Sequence, residues 1–237
     1  MHAAHSDPTR RTAGQYARAT VQRLRMRTLV ALGVLAVATA MLGRAFGLHD
    51  VRFLGAEVLL LASMFAISRW VLPLVERRDM GAQGEEHVGE LLNGLTDRGW
   101  LVIHDASFGR GNVDHILIGP AGVFTIETKS HAGPVRVGRM HGGVLAQAQA
   151  QTRALQNASG VRSEPLIVFS RAWVDRPGTR RKGVRVLPSR MLVGYLLKRE
   201  ARLSVPEMER AHERIAEALL AQETRGRLLH ERWQLIR

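Results

Sequence analysis

Asp114, Glu127 and Lys129 are the side chains in this sequence whose types and spacing could do chemistry. The runs 113–118 and 123–129 are rich in β-branched residues and flank Gly119-Pro120-Ala121-Gly122, which predicts an antiparallel strand pair. A turn centred on Pro120 and Ala121 sets Asp114 directly across from Glu127, with their Cβ atoms about 5 Å apart. Alternation along the strand puts Lys129 on the face of Glu127 and sends Phe124, Ile126 and Thr128 to the other. Two carboxylates held together repel unless a proton or a metal ion lies between them. Oxygen donors of this kind suit Mg²⁺ (or Mn²⁺), which keeps waters for exchange with substrate. A lysine beside such an ion can hold or help activate a water and steady the charge of a phosphate. Lysine occurs only at Lys129, Lys182 and Lys198, leaving arginine for 31 of the 34 cationic side chains, so a lysine at 129 points to a steric or pKa requirement. The alternative use of the same three residues is an ordinary cross-strand salt bridge.

A further acid is aimed at the same place. Glu85 precedes Val88 and Leu92 by three and seven residues, so on a helix it shares their apolar face, whereas Glu86, Glu90 and Asp97 fall on the solvated one. It either completes the acidic patch or is a first-turn acid favoured by the helix dipole. Other chemistries lose support. The chain has no cysteine, which excludes disulfides, iron-sulfur clusters and zinc ribbons and makes hard cations the default metals. Its ten histidines form no H-E-x-x-H pair, and the glycine patterns of phosphate loops and serine-hydrolase elbows are absent. His115 neighbours Asp114 but belongs to the opposite strand face, as a satisfied structural histidine would. Arg180, Arg181 and Lys182 form a basic turn that could grip phosphates or simply be solvated.

The elements that must position these residues follow from periodicity. A helix is expected over 84–95, strands over 100–104, 113–118, 123–129, 166–170 and 184–187, and helices over 145–155 and 191–197. Ser204 to Glu207 has the form of a capping box, ahead of the stripe Met208, Ala211, Ile215, Leu219. Ahead of this α/β pattern lie two apolar stretches. Residues 29–48 carry only Arg44, and 53–75 carry Glu57 and Arg69 near their ends, with Trp70 where an interfacial aromatic is expected. They predict a transmembrane hairpin over 29–75 with the turn His49-Asp50-Val51-Arg52. Six arginines precede it and Arg77 and Arg78 follow it, so both termini are expected in the cytoplasm. A signal peptide cleaved near Ala38-Thr39-Ala40 is opposed by the long basic region ahead and the second span behind. Two buried helices of a soluble domain would not need runs so free of charge.

The net charge of +13 divides into +5 over residues 1–28, +2 over 29–78 and +6 over 79–237. A polyanion such as nucleic acid and the anionic face of a lipid bilayer both fit that balance. The chain is thus expected to comprise a basic segment 1–28, the hairpin 29–75, a soluble domain 79–222 and a loosely packed basic tail 223–237, in which Trp233 could stack on a base or a membrane.

Several ordered motifs carry a resemblance. Gly81-x-x-Gly84-Glu85, Gly111-Asn112-Val113-Asp114-His115-Ile116-Leu117-Ile118-Gly119-Pro120, Gly122-Val123-Phe124-Thr125-Ile126-Glu127-Thr128-Lys129 and Gly133-Pro134-Val135 resemble the nuclease-related domain, NERD, of the PD-(D/E)xK nuclease superfamily. The resemblance is dense from Gly81 to Gln151 and thinner to Leu220. It implies a restriction-endonuclease-like mixed sheet flanked by helices, with a core of helix, three strands, helix and strand. It further implies that Asp114 binds metal, that Glu127 and Lys129 form the E-x-K pair, that Glu85 is the helix glutamate of the site, and that a helical glutamine joins them. Gln147 fits that place best because Leu155 follows it eight residues later, as the family pattern has it, with Gln151 one turn on; the helix departs from the family in having Gly143-Val144-Leu145-Ala146 where an Asn-Pro lead-in is frequent. The carbonyl of Thr128 is the remaining expected ligand of a Mg²⁺ or Mn²⁺ ion. The function so implied is metal-dependent hydrolysis of nucleic acid, DNA by analogy, by a membrane-anchored protein. A catalytically silent membrane-anchored module that binds nucleic acid or protein is the alternative.

Overall fold

The computed structural model describes residues 9, 11–46, 51–108 and 111–234, and these fall into two compact units. One is Tyr16–Met80; the other comprises the described residues of Met1–Gln15 and Gly81–Arg237.

The first unit is built from α1 (Gln15–Phe46), α2 (Val51–Ala66), a π-helical turn Ile67–Val71 and the start of α3 (Leu72–Asn93). Leu29, Val34, Val37, Leu59, Leu61 and Phe65 are all exposed, so these helices bury little of their apolar surface within the protein. Both the helix Gln15–Ala45 and the helical run Leu54–Arg98 are long and apolar enough to cross a membrane. The π turn has a local cause. Pro73 has no N–H to return to the preceding turn, and the widened turn lets Leu72 N–H bond to Ile67 O instead. Asp79 receives Arg18 at 4.0 Å and Arg25 at 3.5 Å, which sets the start of α1 beside the C-terminal end of the second apolar run. Of the expected turn, His49 and Asp50 lie outside the described residues, as does Arg10. The helix expected from Gly84 begins at Leu72, so the charged run 76–79 interrupts no helix; it is where composition changes and secondary structure does not.

The second unit is a mixed α/β domain. Its six-stranded sheet has the order β1 (Leu101–Ser107), β2 (Asn112–Gly119), β3 (Gly122–Lys129), β5 (Glu164–Phe169), β8 (Val184–Pro188), β7 (Arg180–Arg181). β1, β2 and β3 form an antiparallel meander, β3, β5 and β8 are parallel, and β7 is an antiparallel edge. Two short strands, β4 (Gly133–Val135) and β6 (Ala172–Val174), pair in a small separate sheet that periodicity did not reveal. Val88 and Leu92 of α3 and Leu192 and Leu196 of α5 (Ser189–Leu197) pack with Leu117, Phe124, Ile126, Leu166 and Val168 on one face of the main sheet. On the other face, Leu155 of α4 (Gly142–Ser159) and Met208, Ile215 and Leu219 of α6 (Val205–Gln234) cover Ile103, Ile116, Ile118 and Val123. Nearer β8, Leu145 and Ala148 cover Ile167, Phe169 and Val186. The order α3, β1 to β3, α4, β5 is the expected helix, three strands, helix, strand. Residues 223–234, expected as part of a tail, continue α6 as helix. Ser204 donates through its N–H and its hydroxyl to Glu207 at 2.8 and 2.7 Å, as the capping box expects of the glutamate.

One close approach seats α3 on the sheet. A Cβ on Gly84 would lie 1.9 Å from Ser130 Oγ and 2.6 Å from Ser170 Oγ, at the C-terminal ends of β3 and β5, whereas a Cβ on Gly81 would meet nothing within 4 Å. Gly84→Ala therefore overpacks the junction, at a cost of about 1–3 kcal/mol before any gain in helix propensity. Gly81→Ala gains up to about 1 kcal/mol of propensity in open space. Thermal unfolding should show opposite signs for the two variants, with Ser130→Gly restoring part of the loss in Gly84→Ala.

Candidate active site

The strand register brings the acids together. β2 pairs with β3 through His115↔Ile126, Ile116↔Thr125 and Leu117↔Phe124, and the next step of that register sets Asp114 opposite Glu127. Asp114 Oδ2 accepts the N–H of Thr128 at 2.6 Å, so the aspartate reaches across to the β3 backbone. In an extended strand a residue's N–H and C=O point to the same side, so the Thr128 carbonyl also faces β2. The Thr128 hydroxyl lies on the opposite face, buried and without a hydrogen-bond partner.

Glu127 is buried and fully engaged. Lys129 Nζ donates to its Oε1 at 2.5 Å, Gln147 Nε2 donates to the same oxygen at 2.8 Å, and Gln151 Nε2 donates to Oε2 at 2.6 Å. Lys129 also donates to Gln147 Oε1 at 3.1 Å. The spacing of Gln147 and Gln151 is one helical turn, so both face the sheet from α4 and each takes one carboxylate oxygen. Gln151 is the more deeply set of the two and also donates to the Asn112 carbonyl at 2.6 Å, tying β2 to α4.

Glu85 enters from α3, one residue beyond the close approach at Gly84. Burial, followed by the charges of Asp105 and Glu127, pushes its carboxyl up to about 7 against the opposing pull of Lys129. Asp114 is held well above the ordinary carboxylate range, first by burial and then by Glu127 and Glu85, in spite of the Thr128 N–H and Lys129. Fully ionised, the three acids would carry more negative charge than one lysine can balance, and without a cation the excess is relieved by protonation. Hard oxygen donors under that repulsion fit a divalent cation in chemistry and charge. As the side chains stand, no three Asp, Glu or His groups among the described residues converge closely enough to hold one ion. An ion at Asp114 and Glu127 therefore requires Glu127 to turn an oxygen from its present partners.

Sequence reasoning missed Asp105. It is buried, has a positive φ of 50°, and stands where the β1–β2 ladder skips a pair between His104↔His115 and Ala106↔Val113. Its carbonyl accepts the Arg11 guanidinium at 3.0 Å, and Arg11 also bonds to Glu223. Only the β1–β2 register places Asp105 near Glu85.

The basic turn is divided. Arg180 pairs with Glu164 at 2.9 Å, and Glu164 aligns with Phe124, at the end of the sheet away from Lys129. Arg185 and Arg199 join the same glutamate at 3.2 and 3.0 Å. Arg181 donates to the Val137 carbonyl, and the Lys182 carbonyl accepts from Gln149 of α4. His115 lies on the face opposite Asp114, as expected, but it is only half satisfied. Its Nδ1 meets His104 Nδ1 at 2.8 Å while its Nε2 has no partner. His104 Nε2 faces Asn93 Oδ1 at 3.0 Å and so carries the proton, which leaves His104 Nδ1 as acceptor and assigns the shared proton to His115 Nδ1.

A carboxyl raised by burial is protonated in the folded chain when the unfolded chain has already lost its proton. The contribution of Glu85 to folding stability therefore falls as pH rises from the unfolded value of 4.5 towards 7, then levels off. Glu85→Gln keeps the shape of the neutral form. In metal-free buffer the melting temperature of Glu85→Gln should rise relative to wild type between about pH 5 and pH 8. A gap that stays constant across that range would contradict the raised pKa.

Residues 80–170 match the family model of the nuclease-related domain, and the chain carries such a domain. The match contains Glu85, Asp114, Glu127, Lys129, Gln147 and Gln151. No curated protein and no solved structure matches the chain.

Proposed function

We propose that this nuclease-related domain hydrolyses phosphodiester bonds of nucleic acid, DNA by analogy with its superfamily, with Mg²⁺ or Mn²⁺ held by Asp114, Glu127 and the Thr128 carbonyl. Glu85 completes the set directly or through water. We also propose that the two apolar helices anchor it in a lipid bilayer, with both termini and the domain in the cytoplasm. The observation that carries the reading is the meeting of Glu85, Asp114, Glu127 and Lys129 from three elements, with both glutamines of α4 fixing the central carboxylate.

A divalent cation, when bound, supplies charge neutralisation at the phosphate and acidifies a water. The chain's own residues do the rest. In hydrolysis a water oxygen bonds to phosphorus as one P–O ester bond breaks; the water gives up a proton and the departing oxygen gains one. Lys129 has three N–H donors, and Glu127 and Gln147 take two, leaving one for a water or a phosphate oxygen. Gln147 and Gln151 hold Glu127 on the sheet face it shares with Asp114 and Lys129, from which it would turn one oxygen to a bound ion. Arg77 and Arg78 beyond the second apolar run, and Arg18, Arg23, Arg25 and Arg27 before or within the start of the first, support the cytoplasmic placement.

Two variants separate the roles in the full chain, with Glu127→Ala as the inactive control. Lys129→Arg keeps the charge but replaces a compact ammonium by a planar fork, and should lower turnover on the order of 10²-fold at every metal concentration. Asp114→Asn removes a charge from the cation's surroundings, so its loss should be partly recovered by raising Mg²⁺ or Mn²⁺. Absence of divalent-cation binding in calorimetry, together with wild-type behaviour of Lys129→Arg, would replace catalysis by the silent binding module.

Reporter fusions test the anchor. Fusions after Thr28 and after Met80 should report the cytoplasm and a fusion after Asp50 the far side. A fusion after Met80 that reports the far side would remove the domain from cytoplasmic nucleic acid and with it this reading.

A further inference from the structure

Beside Lys129 the domain has a cavity of about 520 Å³ that the chemistry above does not use. It lies between the chain following β3 and the start of α4. Its volume is within the ~300–1,000 Å³ range of small-molecule sites and exceeds what a phosphate group fills. Its lining has two characters. Pro134, Met140, Val144 and Phe169 supply apolar wall, while His131, Arg136, Arg139 and His141 supply polar and cationic groups. The His131 ring meets Phe169 edge-on with centroids 4.8 Å apart, and His131 is itself exposed, so a flat ring is offered at the mouth. Arg136 and Arg139 are likewise exposed and bracket a 3-10 turn, Val137–Arg139, whose backbone is pinned by Val137 N–H to Asp175 at 2.9 Å. His141 is spoken for, since its Nδ1 accepts Gly143 N–H at the start of α4.

An apolar concavity edged by guanidinium groups, next to a lysine placed for a phosphate, matches a nucleotide whose base is out of the stack. A duplex presents phosphates on its outside and keeps base faces buried, so it would fill the cationic edge and leave the apolar wall bare. A single strand supplies both, by stacking a base in the cavity and passing its phosphates along the arginines. From this the geometry points to single-stranded nucleic acid, or the unpaired end of a duplex, as the substrate class: one unpaired nucleotide occupies the cavity, held by His131 and Arg139, and presents the adjoining phosphate to Lys129. The inference rests on the nuclease reading for the role of Lys129, but the cavity's preference for unpaired bases is a binding property and is measurable without turnover.

The test uses the full chain in detergent micelles with chelator present, so that nothing is cut. Fluorescence anisotropy follows a labelled oligothymidylate, the same strand annealed to oligoadenylate, and a labelled oligouridylate of equal length. The unpaired strands, of either sugar, should bind about tenfold tighter than the duplex, the scale of one stacked base. His131→Ala, at an exposed side chain, should remove most of that preference while leaving duplex binding unchanged, and Arg139→Ala, also exposed, should weaken the single strand more than the duplex and so reduce the preference. Equal affinity for single strand and duplex overturns the inference, as does an undiminished preference in both variants. Adding Mg²⁺ or Mn²⁺ to the wild-type chain then separates the two readings. Preference for the single strand without cleavage supports the cavity and sinks the nuclease. Cleavage of both forms alike, insensitive to Arg139→Ala, keeps the nuclease and overturns the cavity.

Discussion

Setting the carboxyl groups of Asp114 and Glu127 on one face of neighbouring strands costs Coulomb energy that grows as water is excluded, and much of the domain's architecture is a response to that repulsion. Lys129 answers it on the same strand, the Thr128 N–H answers it for Asp114, and the two glutamines of α4 answer it for Glu127. Each answer constrains an element. The glutamines fix the rotation of α4 about its axis, and Gln151 also fixes its height over β2 through the Asn112 carbonyl. The bare backbone at Gly84 lets α3 come close enough to add Glu85, a third acid, to a place already overcharged. An arrangement that only sought stability would have no use for that third carboxyl, which is the strongest reason to regard the site as one built to receive charge from outside.

The contrast between lysine and arginine fits the same logic. At Glu164, three arginines gather on one carboxylate, and Arg185 and Arg199 also lie over the Tyr195 ring at 5.1 and 5.4 Å. A flat guanidinium can hydrogen-bond in its plane and stack on its face, so a cluster of this kind is structural cement. The Glu164 carboxyl is correspondingly held below its ordinary value by those hydrogen bonds and charges, even though burial pushes the other way. Lys129 stands in a narrower place, between a carboxylate and an amide, where three donors on one small nitrogen suit the geometry.

How much of this was legible in the sequence depends on the distance over which each feature is determined. The Pro120–Ala121 turn fixes the β2–β3 register locally, so the opposition of Asp114 and Glu127 and the shared face of Lys129 could be read directly. Glu85 was legible from helical periodicity, because Val88 and Leu92 mark the buried face of α3. Gln147 and Gln151 were ambiguous only because the reading sought one residue where one turn supplies two. Asp105 was invisible, since its place depends on the β1–β2 register and on a positive φ that nothing nearby in the sequence announces. The extent of α3 and α6 was missed for the opposite reason. Charged stretches such as 76–79 and 223–234 look like boundaries, yet charged residues propagate a helix as well as most others do.

The buried imidazoles on the far face of the sheet give these acids a counterpart. Burial lowers His104 to about 4, and burial together with His104 lowers His115 well below its usual value, so the folded domain keeps both rings neutral where an unfolded chain would charge them. It keeps Glu85 and Asp114 protonated where an unfolded chain would ionise them. In mildly acidic solution, opening the domain thus moves protons from two carboxyls to two imidazoles, with little net traffic to the solvent. A stability curve nearly flat with pH would in this protein be the sum of two steep and opposite dependences, and removing either partner set would uncover the other.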